Sequence, residues 1–390
     1  MTLALLPEEE RILAGEQGET RQMMMEILVA LGKVFGAEHL IPIRSAQVSG
    51  ASFKTIGEAG LEWLSGLDAR VAVPTVLNPV GMDRKRWREM GIPEGFAGKQ
   101  EEVIAAYSRL GVRLDCTCTP YYLYKTKFGE HLAWSESSAV AYANSVIGAR
   151  TNREGGPGAL AGAIIGKTPA YGLHLVERRR PDLVFAVEPS PEWNDTALYG
   201  ALGYFTGKIA GNRIPFLTGI RPKRDQLKAL GAAMAASGAV ALYHVDGITP
   251  EARVFSYPTD ELEKIPVTVS EVRLTAAEMQ PDAVALGCPH CSPEELSGIA
   301  RQLDGKRVRI PLYVFAARKV IEQNHGAVTL IERSGAKVYA DTCMVVSPVM
   351  EQFGLVMVNS GKAFAYVPDM CGAAVRLGTT DECIKTATGT

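Results

Sequence analysis

Short apolar runs alternate with helical stripes along almost the whole 390-residue chain, and that alternation limits the fold more than any single motif. Residues 70–77, 112–117, 183–188, 214–217, 239–245, 283–286, 309–315, 338–342 and 355–358 read as strands. Residues 7–14, 19–36, 56–67, 83–90, 99–110, 195–210, 225–237, 293–303 and 317–333 read as helices. Met23, Met24, Ile27, Leu28, Leu31 and Val34 recur at helical spacing, which marks a core-facing stripe. Strand, turn, helix, strand is the order of an α/β protein with largely parallel sheets.

A chain of this length is too long for one core, so separate lobes are expected. The division falls into residues 1–210 and residues 211–390. Residues 249–269, with Pro250, Pro258 and Pro266, are expected to be an irregular insertion or a boundary. The formal net charge of −2 gives no electrostatic case for nucleic acid or an anionic membrane surface. No apolar run approaches the roughly 18–20 residues of a membrane span. The first residues, MTLALLPEEERIL, lack the basic start of a secretory signal, so a cytoplasmic protein is expected.

Residues 134–158, WSESSAVAYANSVIGARTNREGGPG, form the most distinctive stretch. Serines and Glu136 precede a small apolar helical run at 139–146, and Gly148 is placed to stop it. A helix start of this kind presents free N–H groups to an anion. The same pattern also suits a buried helix followed by a glycine-rich connection.

Seven cysteines in such a chain are a poor match to a disulfide framework. Cys118, Cys288 and Cys343 each follow an apolar strand, and strand ends are where open α/β sheets bind ligands. Three thiolates converging there leave an iron–sulfur cluster with one iron lacking a protein ligand, a Lewis acid for a substrate hydroxyl. The alternative is a structural zinc site made of Cys116, Cys118, Cys288 and Cys291. Cys371 and Cys383 lack ligand spacing and read as structural.

The segments SAQVSGASF, PTVLNPVGMD, CTPYY, GEHLAWSESSAVAYANSVIGARTNREGGP, LGCPHCS, ADTCMVVSP and NSGKAFAY occur in this order and span nearly the whole chain. Together they resemble the large subunit of the aconitase X proteins, a divergent branch of the aconitase superfamily. The resemblance implies an aconitase-like fold of several α/β lobes converging on a cluster. It implies a hydro-lyase that removes water from a β-hydroxy carboxylate at a 4Fe–4S cluster held by Cys118, Cys288 and Cys343. It places substrate contacts on Ser49, Gly50, Ala51, Asn78, Pro79, Glu136, Ser137 and Lys362. Gln47 stands where many relatives carry histidine.

Proton removal next to a carboxylate builds a dianion, which needs a cation where that charge develops. Lys362 is the favoured group, ahead of Arg150 and Arg153, and Glu136 is the second candidate for catalysis. The resemblance implies that the serine base belongs to a swivelling domain on a separate small subunit. Two activities are implied: dehydration of mevalonate 5-phosphate to the trans-anhydro product in a mevalonate-pathway variant, and dehydration of cis-3-hydroxy-L-proline. The split, compact chain favours the first. A cluster-dependent RNA-binding regulator is a remote third reading.

Overall fold

The computed structural model of the chain describes residues 3–272 and 279–390. A short antiparallel ribbon, β1 (Leu40–Pro42) with β6 (Lys167–Pro169), flanks the first sheet. That sheet contains β2 (Ala46–Val48), β3 (Thr75–Leu77), β4 (Arg113–Cys116) and β5 (Ala133–Trp134), all parallel, in the order β4-β3-β2-β5. The second contains β7 (Leu183–Val187), β8 (Pro215–Thr218), β9 (His244–Val245) and β10 (Glu263–Val267), parallel in the order β10-β7-β8-β9. The third contains β11 (Ala283–Leu286), β12 (Leu312–Ala316), β13 (Lys337–Ala340), β14 (Leu355–Val358) and β15 (Ala374–Leu377). Its order is β13-β12-β11-β14-β15, again parallel.

All three orders contain a reversal, the second between β7 and β10, and the reversals of the first and third sheets bear on the site. The first sheet runs outward from β2 to β4 and then returns to place β5 on the other side of β2. The third runs outward from β11 to β13 and returns to place β14 beside β11. Each reversal leaves a crevice beyond the strands' carboxyl ends, between β2 and β5 and between β11 and β14. The strands β11 and β14 are buried at every residue, so side chains cover both faces.

The α/β class with parallel sheets is as the sequence pattern predicted. The division expected between residues 210 and 211 falls within the second sheet, between β7 and β8. Residues 83–90 do not form the expected helix. The Asp83 carboxylate accepts from the Lys85 N–H at 2.9 Å and the Ala340 N–H at 2.8 Å, a turn that competes with helical hydrogen bonding. The helix expected over 317–333 is broken at Asn324 into Arg318–Gln323 and His325–Arg333. Residues 249–269 are more regular than expected: they hold a short helix, Pro250–Val254, and β10. Pro266 is tolerated because β10 is an edge strand, where a missing N–H costs no ladder bond on the open side. No described helix is long and apolar enough to cross a membrane.

Candidate functional site

The crevices of the first and third sheets open onto one cavity of about 250 Å³. Asn78, Pro79, Cys118, Ser135, Glu136 and Ser137 line it from the first sheet's loops. Gly287, Cys288, His290, Cys343 and Lys362 line it from the third, and Met344, Val345, Val346, Tyr366 and Met370 supply a mainly apolar wall.

Glu136 follows β5 and caps the helix Ser137–Tyr142. Its Oε2 accepts from the Ala139 N–H at 2.7 Å and from Ser138 Oγ at 2.6 Å. A carboxylate at this place satisfies an otherwise orphaned N–H and the positive end of the helix dipole. Lys362 follows β14 in the first turn of the helix Gly361–Cys371, capped by Ser360 through the Ala363 N–H. Position 361 requires glycine: a Cβ there would lie 2.2 Å from the Gly200 carbonyl oxygen, so the neighbouring helix Thr196–Ala210 sits against bare backbone. Ser360 Oγ also donates to the Cys288 carbonyl, joining the lysine's loop to the cysteine's loop.

Across the cavity Lys362 Nζ donates to Glu136 Oε1 and, at 3.2 Å, to Ser138 Oγ. The pair is buried, with side chains 8% and 5% exposed. Burial alone pushes the Glu136 pKa up, but the Lys362 charge and the Ser138 and Ala139 donors outweigh it and hold it low. Burial alone lowers the Lys362 pKa, yet Glu136 and the nearby thiols raise it above the ordinary lysine range. Both groups are therefore charged near neutrality, and an ammonium with three donors retains one beyond these two bonds.

Cys118, Cys288 and Cys343 stand at the ends of β4, β11 and β13 and meet at this cavity, as their shared strand-end context predicted. Burial raises the pKa of all three thiols, that of Cys288 to about 12, while the Lys362 charge pulls each the other way. Gly287 adopts φ +100°, and a Cβ there would lie 2.2 Å from the Phe315 carbonyl oxygen; only glycine brings β11 into the Cys288 turn this closely. Among the described residues no three His, Cys, Asp or Glu side chains close on one point as ligands of a single ion would. Cys118, Cys288 and Cys343 nevertheless present three thiols to one cavity, the donor type that iron–sulfur clusters take. The four-thiolate zinc alternative is not assembled. Cys116 is buried in the core beneath the first sheet, whereas Cys291 belongs to the core of the third.

Other expected residues lie elsewhere. Ser49, Gly50 and Ala51 are outside the cavity wall. Ser49 is one layer behind it, its N–H donating at 2.6 Å to Ser135 Oγ. Ala51 O accepts from Gln100 Nε2 at 2.7 Å, and Gly50 O accepts from Tyr107 Oη at 3.3 Å. Arg150 donates to the His174 carbonyl and Arg153 to the Ala239 carbonyl, and neither lines the cavity. Gln47 is fully buried and donates to the Thr117 carbonyl at 2.8 Å. The second half of the distinctive stretch is framework: Asn144 bonds Thr151 through both backbone groups, and Asn152 holds Tyr171 and Leu173. His290, Tyr366 and Met370 line the cavity without having been singled out. The Cys-Pro-His-Cys run is the one sequence signal for His290, and by itself it points to cysteine ligand spacing.

The chain matches the aconitase X first-domain family model over residues 2–177, the second over 181–277 and the third over 281–389. It is 53% identical over 390 residues to the phosphomevalonate dehydratase large subunit of Methanosarcina mazei, covering 99% of this chain and 97% of that one. The corresponding large subunit of Methanocaldococcus jannaschii is 47% identical, covering 98% and 99%. A cis-3-hydroxy-L-proline dehydratase of Pseudomonas aeruginosa is 35% identical, covering 98% of this chain and 69% of that one. The crystal structure of Thermococcus kodakaraensis aconitase X in its holo-form superposes with a TM-score of 0.91 at 45% identity, covering 99% of this chain and all of that one.

Proposed function

Since the chain belongs to the aconitase X family, we propose that it is the large subunit of a hydro-lyase that dehydrates (R)-5-phosphomevalonate to trans-anhydromevalonate 5-phosphate. The observation that carries this reading is end-to-end similarity, at 45–53% identity, to four archaeal large subunits named for that activity. The cavity agrees with an anionic substrate. Among the described residues, Glu136 is the one carboxylate lining it, and Lys362 already occupies that group. The ring ammonium of hydroxyproline would find no free carboxylate there.

Cys118, Cys288 and Cys343 would hold a 4Fe–4S cluster. When bound, it supplies an iron without a protein ligand, a Lewis acid for the departing hydroxyl and the carboxylate. Lys362 binds the substrate carboxylate with its remaining donor and opposes the negative charge that grows there as the neighbouring proton leaves. Glu136 fixes the ammonium in position and keeps it protonated, so the cation is in place before the charge develops. Ser137 and Asn78 stand beside this pair to orient the substrate, and Asn78 Oδ1 is buried without a protein partner. Pro79 shapes the adjoining turn. The Met344–Val346 wall thins out water, which strengthens each of these charge contacts. The small subunit would close the cavity and bring the base.

The test is turnover of (R)-5-phosphomevalonate and cis-3-hydroxy-L-proline by the anaerobically purified chain, alone and with its small subunit. Dehydration of phosphomevalonate only by the pair is expected. Full activity from the chain alone would overturn the two-subunit reading, and turnover of hydroxyproline alone would overturn the substrate. Replacing Cys118, Cys288 or Cys343 with alanine should abolish both visible absorption and activity, whereas Cys116→Ala and Cys291→Ala should retain the chromophore. A colourless, iron-free wild type prepared without air would end the cluster assignment.

A further inference from the structure

His290 is a buried imidazole that touches all three cysteine loops. We propose that it is a positioning residue, clamping the loops of Cys118, Cys288 and Cys343 into one geometry that can accept a cluster. The inference rests on the cluster reading above and concerns only this chain's own residues.

The carbonyl partner of one ring nitrogen sets the tautomer. His290 Nε2 lies 2.9 Å from the Thr342 carbonyl oxygen, which can only accept, so Nε2 carries the hydrogen. Nδ1 therefore presents its lone pair, and Thr117 Oγ1, 3.0 Å away, donates to it. The Thr117 oxygen also accepts from the Thr119 N–H at 3.0 Å and lies 3.0 Å from Thr119 Oγ1, a hydroxyl that can donate to it while Thr117 donates to the imidazole. Thr117 and Thr119 flank Cys118, Thr342 precedes Cys343, and His290 itself stands two residues after Cys288. Its backbone N–H also donates to Cys118 Sγ at 3.1 Å.

One ring thus spans two sheets. The Cys118 loop belongs to the first sheet, and the Cys288 and Cys343 loops belong to the third. Thr117 is held from behind by Gln47, whose Nε2 donates to its carbonyl at 2.8 Å. On the far side Lys228 Nζ donates to the His290 carbonyl at 3.2 Å. His290 is 1% exposed, so its directional bonds are shielded from competing water. Loss of such outer contacts to ligand-bearing loops typically weakens metal retention by roughly 10–100-fold.

The test compares anaerobically reconstituted wild type, His290→Phe, His290→Gln and Thr117→Val by iron and sulfide content and by the rate at which a chelator bleaches the chromophore. Phenylalanine keeps the volume and removes both ring bonds, whereas glutamine restores a donor and an acceptor. Bleaching about tenfold faster or more is expected for His290→Phe. A partial recovery is expected for His290→Gln, and an intermediate increase for Thr117→Val. The cluster-free His290→Gln chain should melt as wild type does, which separates positioning from folding. Should His290→Phe not fold, Thr117→Val decides, since it removes one hydroxyl at constant shape. Wild-type bleaching rates in the folded variants would overturn the clamp. A wild type that takes up no cluster would instead overturn the reading on which it rests.

Discussion

Two buried ion pairs in this molecule resemble each other in everything but what surrounds them. Arg179–Glu251, at 2.7 Å, has side chains 2% and 4% exposed, and Lys362–Glu136 is nearly as dry. Arg179 has no donor nitrogen to spare. Beyond Glu251 it bonds Asn144 Oδ1 and the carbonyls of Leu173, Asn144 and Ala149, so it staples the far half of the distinctive stretch to its neighbours. Lys362 faces a cavity with a donor in hand. Burial of a charge pair therefore does not distinguish framework from chemistry; the unspent donor and the space in front of it do.

Breaking the framework pair should have the largest effect. Arg179→Met leaves Glu251 buried without this cation and takes a donor from the carbonyls of Leu173, Asn144 and Ala149, and a loss of about 3–5 kcal/mol is expected in denaturant unfolding. Stability near wild type would remove the structural role assigned to this pair.

The cavity pair should fail in the opposite way. Lys362→Met is expected to lower kcat/KM by about 10²–10³-fold, the usual cost of losing one donor to a developing anion. Its melting temperature and cluster content should stay near wild type, because Glu136 keeps its Ser138 and Ala139 donors and borders open space. Unchanged turnover would exclude Lys362 from the chemistry and erase the contrast.

A third buried carboxyl sharpens the comparison because no cation pairs with it among the described residues. Burial raises the Glu154 pKa to about 7, relieved only slightly by Thr168 Oγ1 at 3.4 Å. Below the ordinary value of 4.5 both folded and unfolded states hold the proton, and the group is neutral in its effect. Between 4.5 and about 7 the unfolded chain releases the proton while the folded one keeps it, so stability falls as pH rises through this window. Glu154→Gln should remove that slope, a gain on the order of 1–3 kcal/mol above pH 7. Parallel unfolding curves for the two proteins across this range would show that Glu154 ionises freely in the fold.

Much of this was legible along the chain, and the reason is local. Parallel strands buried on both faces need short apolar runs, and these sit where β7, β11 and β14 form. A strand end, marked by the apolar run before it, is where such sheets place ligands, so Cys118, Cys288 and Cys343 could be selected before any contact was known. Lys362 is marked by the resemblance rather than by a strand end; Gly361 before it is small because the neighbouring helix passes against its backbone.

What the chain could not state is which strand ends face each other. The order β4-β3-β2-β5 and the order β13-β12-β11-β14-β15 put their reversals against one cavity, and nothing local encodes that meeting. Glu136 and Lys362 are 226 residues apart, and their pairing exists only after both sheets have closed. Asp83, at the start of an expected helix, instead serves Lys85, Ala340 and Arg318, because a carboxylate answers to whatever donors folding brings near it. His290 is the clearest case. The sequence gives it no role beside Cys288 and Cys291, because the partners that hold it, Thr117 and the Thr342 carbonyl, are 173 and 52 residues away. Residue type and spacing determine which chemistry a chain can carry; the packing of the sheets decides which groups share the same few ångströms, because hydrogen bonds and charge contacts act only at that range.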